Sequence, residues 1–126
     1  AGRGDAVSLR LDRARDRRAP APPVPSGVRL RRLGRAQGAT IYLVDGERVR
    51  DLVDVDFTMG CSDARCAYVP LGEVWVERVL SPRDREATVV HELAERALML
   101  RRGWRYGRAH DAASAVERRW RRGRFA

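Results

Sequence analysis

One histidine and two glutamates stand together in the stretch from Val89 to Met99: His91, Glu92 and Glu95. On a helix, His91 and Glu95 are four residues apart and leave the same face one turn from each other. That is the spacing by which a helix offers two ligands to one metal ion. Glu92 is turned away by about 100°, so it reaches a metal-activated water from the side, as a general base. A zinc helix commonly reads H-E-x-x-H; here Glu95 takes the place of the second histidine. The only other histidine in the chain is His110. His91, Glu95 and His110 are therefore the candidate metal ligands, with Glu92 as the catalytic base. Two imidazoles and a carboxylate form an ordinary catalytic zinc set with a position left for water, so Zn2+ is the expected cofactor. Glu117 offers a fourth ligand or a partner that orients a histidine, and Tyr106 offers an oxyanion donor.

Two helices must hold this set. Ser81-Pro82-Arg83-Asp84 is a start signal, with Ser81 as N-cap, Pro82 at the first helical position and Asp84 at the capping-box position. The helix should run to about Arg102 and stop at Gly103. Its apolar residues cover about half the wheel, with His91 and Glu95 at the edge of that half. A second helix is expected from Tyr106 to Arg122, with Gly123 as its stop. Ala109, Ala112, Ala113, Val116 and Trp120 form its apolar stripe, and Tyr106, His110 and Glu117 line one flank. Packing the two stripes together brings His110 to His91 and Glu95.

Upstream, short strands predict a small, mostly antiparallel sheet. Val28-Arg29-Leu30 alternates, Gly34 to Gly38 turns, and Thr40 to Val44 is the strongest strand. Asp45-Gly46 reads as a hairpin turn with Glu47 to Arg50 returning from it. Val53, Val55 and Phe57 alternate as a further strand, and Ala67-Tyr68-Val69 and Val74-Trp75-Val76 follow. Residues 1–26 read differently. Ala6 to Arg13 offers a thin-faced short helix, and Ala19 to Pro25 is an extended proline-rich linker. The expected organisation is an arginine- and proline-rich arm over 1–26 and one α+β domain over 27–126.

The 126 residues suit one compact domain. The net charge is +9, from 26 basic against 17 acidic residues, and every basic residue is arginine. The absence of lysine points to a GC-rich genome. The charge itself suits an acidic partner, nucleic acid or an acidic protein face, reached through the arm and the arginine-rich C-terminus. It equally suits a solvated surface. No apolar run is long enough to span a membrane, and two cysteines, Cys61 and Cys66, make no disulfide scaffold. The expected setting is cytoplasmic and reduced.

Other readings compete with the metal set. His91 and Glu95 could form an ordinary i, i+4 pair with His110 as a core hydrogen-bonding group. Cys61 and Cys66 could join His91 and His110 in a structural Cys2His2 site, although the spacing is far from that of a zinc finger. They could also be two free thiols in a loop, or one disulfide if the protein is secreted. In the non-enzymatic reading the chain is a basic module, a phage-type accessory or structural component, and the His/Glu cluster only joins two helices.

The order of elements resembles a minimal zincin metallopeptidase: strands, a helix with the HE motif, then a helix with the third ligand. More narrowly, HELAERALM (91–99) followed by YGRAHDAASAVE (106–117) resembles short zincin-like proteins encoded in phage and prophage genomes. The similarity extends through YLVDGERVRD, DFTMG and VPLGEVWVE, and so covers about residues 41 to 120. It implies a zinc-dependent hydrolase fold with His91, Glu92, Glu95 and His110 as site residues, and a virion-associated setting if phage-encoded. Glu95 in place of histidine departs from zincins proper, and the arm and C-terminus lie outside the resemblance.

Overall fold

The computed structural model describes residues 9–20 and 22–125. Its elements in order are β1 (Arg29–Ala36), β2 (Ala39–Val44), α1 (Gly46–Leu52), β3 (Gly60–Ser62), β4 (Glu73–Glu77), α2 (Pro82–Arg102) and α3 (Tyr106–Phe125). The architecture is α+β: one four-stranded sheet in the order β1-β2-β4-β3, followed by two long packed helices. The sheet is mixed. β1–β2 and β3–β4 are antiparallel, while β2 and β4 run parallel at its centre.

The parallel pair explains the main departure from the sequence reading. Asp45-Gly46 does not turn a hairpin. Asp45 is the N-cap of α1, its carboxylate accepting the amide of Arg48 at 3.1 Å. Parallel neighbours need a crossover, so the chain leaves the sheet here. Gly46 is held by a close approach: its amide donates to Glu77 Oε1 at 3.0 Å, and a Cβ at this position would fall 1.3 Å from Glu77 Oε2. Val49, expected on a returning strand, is fully buried on the inner face of α1.

Two further expected strands are absent. Val53 caps the end of α1, and Asp54 turns the chain by accepting the amide of Asp56 at 3.0 Å. Tyr68 and Val69 are core residues in turns, the Tyr68 hydroxyl donating to Asp54 at 2.9 Å. The β1–β2 turn is only Gln37-Gly38, both with positive φ, as two-residue hairpins require. Gly34 lies within β1, where the pairing is irregular.

β4 shows how the sheet divides the core. Trp75 faces a cluster with Val28, Val44, Val49, Phe57 and Tyr68. Val74 and Val76 face the opposite way, packing with Ile41 and Leu93 of α2. This alternation follows the two-residue period of a strand. α2 has the expected ends: Ser81 Oγ accepts the amide of Asp84 at 3.2 Å, and Gly103 closes the helix in the left-handed region at φ 64°. α3 runs past Gly123 to Phe125. Ala109 and Ala113 are completely buried on α3, which lets it lie close to α2.

The expected helix over residues 6–13 falls partly outside the described residues; from Leu9 to Arg13 there is none. The described arm lies against the domain. Leu11 N donates to Arg65 O at 2.7 Å, Ala67 N to Leu9 O at 2.8 Å, and Arg15 N to Ala64 O at 3.2 Å. Its described arginines point to internal partners. Arg10 pairs with Asp56, Arg13 with Gly103 O, Arg15 with Val69 O, Arg17 with Asp63 and Arg18 with Asp16. Asp63 is fully buried and also accepts from Arg96 of α2 at 2.6 Å and from Gly72 N at 2.7 Å. Those bonds hold its carboxyl below its ordinary pKa despite the opposing effect of burial. Cys61 and Cys66 form a disulfide, so neither is a thiol or a metal ligand. This corrects the reduced state expected from the sequence and rules out the Cys2His2 site.

Candidate metal centre

α2 places His91, Glu92 and Glu95 in its middle turns, and packing of α3 along it brings His110 across. Three atoms converge. His91 Nε2 lies 3.1 Å from Glu95 Oε2 and 3.2 Å from His110 Nδ1, and His110 Nδ1 lies 3.0 Å from Glu95 Oε2. Four-coordinate zinc with bonds near 2.0–2.2 Å separates its ligand atoms by roughly 3.3–3.6 Å, so this triangle is close to the size an ion requires. His91 and Glu95 are buried and His110 is half-buried. The group could hold a metal ion.

The surrounding bonds favour that use. His91 Nδ1 lies 3.1 Å from Glu117 Oε1, on the opposite side of the ring from the triangle. The other Glu117 oxygen accepts from Arg121 Nε at 2.9 Å, and Arg121 Nη1 reaches Asp84 at 3.0 Å. A carboxylate on Nδ1 places the proton there and leaves Nε2 as a lone pair for a metal. Of the two roles open to Glu117, the geometry selects the orienting partner. Tyr106 Oη is 3.2 Å from His110 Nδ1, so this hydroxyl sits at the edge of the triangle.

Burial disfavours charge on His91, but the hydrogen bond to Glu95 and the charges of Glu92, Glu95 and Glu117 outweigh it, raising its pKa.

Glu92 lies beside the triangle. It is buried, and its Oε1 has no hydrogen-bond partner among the described residues. Burial, then the charge of Glu95, push its carboxyl up to about 8. It shares a cavity of about 280 Å³ with His91, His110, Glu117, Tyr106 and Thr88. Thr88 Oγ1 is likewise buried without a partner.

The sequence reading did not single out Thr88, although it stands one turn before Glu92 and three residues before His91. Arg65 was missed as well. Its guanidinium lies 3.5 Å from the centre of the Tyr106 ring, and its Nη1 donates to Leu11 O at 2.6 Å. Tyr106 N in turn donates to Asp12 O at 2.7 Å. Thus the arm holds the residue that reaches His110, and no local signal in the sequence marks that contact. Gly60 of β3 packs directly over the site; a Cβ there would lie 2.7 Å from Trp75 O and 3.0 Å from Thr88 Cγ2.

Fold and site together define an α+β protein with a buried His-Glu-His group that could hold a metal. No protein-family model matches the sequence, and no curated protein or solved structure is significantly similar to it. No described helix is long and apolar enough to cross a membrane.

Proposed function

We propose that this chain is a zincin-like, zinc-dependent hydrolase acting on peptide bonds. One observation carries the reading. A buried Glu92 carboxyl, one oxygen of which has no hydrogen-bond partner among the described residues, lines the same cavity as His91 and His110, whose ring nitrogens converge with Glu95 Oε2. His91 Nε2, Glu95 and His110 Nδ1 would hold the ion, and a bound zinc would supply Lewis acidity that makes a water acidic near pH 7. Glu92 takes the proton of the attacking water and later delivers it to the leaving amine. Its raised pKa suits a group that must both accept and return a proton near neutrality. Glu117 holds the His91 ring in one tautomer, and the Tyr106 hydroxyl donates to oxygen charge that develops beside His110.

A metal held only to join α2 and α3 would use the same ligands. The unpartnered carboxyl of Glu92 favours chemistry over that role, because a purely structural site gains nothing from burying an unsatisfied acid. The test is metal analysis of protein purified without a histidine tag, with cleavage of a mixed peptide library by wild type and Glu92→Gln. Stoichiometric zinc with cleavage lost in Glu92→Gln supports the reading. Zinc without cleavage leaves a structural centre, and no divalent metal at all rejects both.

A further inference from the structure

β1 is an edge strand: it pairs with β2 and, among the described residues, with nothing on its outer side. A groove of about 780 Å³ runs beside it, walled by Leu33, Ile41, Val89, Val90 and Trp120, with Arg85 in the lining. Arg85 Nε is buried there with no hydrogen-bond partner among the described residues. A buried donor left unpaired is unfavourable.

The charges along the strand divide in two. Arg29 pairs with Glu73, and Arg35 donates to Thr40 Oγ1. Arg31 and Arg32 are exposed, with no ion pair or hydrogen bond from their side chains among the described residues. Arg31 stands opposite Leu43 and so shares the face of Ile41 and the groove; Arg32 stands opposite Tyr42 on the other face. The free edge thus carries a cation on each side of its backbone, next to an apolar slot.

We infer that this edge and groove receive an extended segment of a partner protein in which acidic residues flank an apolar one. Its backbone adds to β1 as a further strand. The apolar side chain enters the groove beside Arg31 and Arg85, and the flanking carboxylates, on the other face of the added strand, meet Arg32. A second copy of this chain does not fit, because it would set arginine strand against arginine strand at a net charge of +9 on each molecule. Arginines also suit phosphates, but the groove walls are aliphatic with one indole, which gives successive bases little to stack on. The groove shares no lining residue with the cavity at His91, so the inference stands apart from the proposed hydrolysis.

The test uses the full chain and three fluorescent probes: a short peptide of alternating Glu and Leu, the same peptide with Ser for Leu, and a short oligothymidylate. The Glu/Leu peptide should bind with a salt-sensitive anisotropy change and should shift the backbone amide resonances of residues 29–36. The Ser peptide should bind roughly tenfold more weakly or worse, as should the Glu/Leu peptide on Arg31→Glu/Arg32→Glu. These two positions are exposed, so circular dichroism should show that variant to be folded. Equal binding of the two peptides would reduce the site to bulk charge and overturn the inference. So would tighter binding of the oligothymidylate at the same residues, which would make the strand a nucleic-acid surface, or no peptide binding at all.

Discussion

His91 Nδ1 and Glu117 Oε1 lie 3.1 Å apart, joining the middle of α2 to the middle of α3. The link continues through Arg121 to Asp84, back in the first turn of α2. One carboxylate thereby ties the orientation of a candidate ligand to the packing of both helices. Glu117→Gln should weaken zinc affinity about 10–100-fold while leaving the fold in place. Competition with a chromophoric chelator measures this. Unchanged affinity would mean that the bond does not orient His91.

Glu92→Gln removes a base and not a ligand. Metal content should stay at the wild-type level while hydrolysis drops about 10²–10⁴-fold. The same variant carries a pH signature in metal-free protein. The folded Glu92 carboxyl is raised from 4.5 to about 8. Between those values the folded state holds a proton that the unfolded chain has released. Stability must therefore fall as pH rises through that window, by at most about 1.4 kcal/mol per pH unit from this group. Denaturant titrations across the window should show a slope that is shallower in Glu92→Gln, and identical slopes would place Glu92 in contact with solvent.

Arm composition alone suggests that truncation leaves the domain and its hydrolysis untouched. The contacts point the other way. Removing residues 1–19 takes away the bonds to Ala64, Arg65 and Ala67, the Arg17 partner of buried Asp63 and the hold on Tyr106 N. The truncated protein should be less stable by about 2–4 kcal/mol in denaturant midpoint analysis. Any hydrolysis should fall with it, through the loosened Tyr106. A truncation with the wild-type midpoint would mean that the arm does not dock in solution.

Cys61 and Cys66 close a short loop whose far end, Cys66, bridges to Arg10 of the arm. Cys61→Ser/Cys66→Ser should cost about 2 kcal/mol, the loop-closure value for so few residues. Thermal melts with and without reductant should show the same loss in wild type. Zinc content should not change, and a loss of zinc in this variant would return the cysteines to the ligand set.

Much of the site was legible because it depends on local geometry. Ser81, Pro82 and Gly103 bound α2 by capping interactions within a turn of each end, and those held. The i, i+4 relation of His91 and Glu95 needs only the helix itself. The sheet was harder to read. Asp45-Gly46 carries the same local signal for a hairpin turn and for a helix N-cap. The alternation of Val53, Val55 and Phe57 was equally persuasive, yet Val55 is exposed and belongs to no strand.

By itself, then, the sequence determined one helix capped at both ends, a second helix after it, and a histidine-glutamate pair on one face of the first, since each rests on contacts within about four residues. Tertiary structure alone decided that Asp45 caps a helix, because β2 pairs in parallel with β4 and must be left by a crossover. It also supplied the packing by which His110, the third ligand named from the sequence, closes the triangle, and decided that Glu117 takes the outer nitrogen of His91 and that the arm supports Tyr106. Those relations join residues 19, 26 and some 90 positions apart. Their energies come from packing two surfaces together, which no window of local sequence contains.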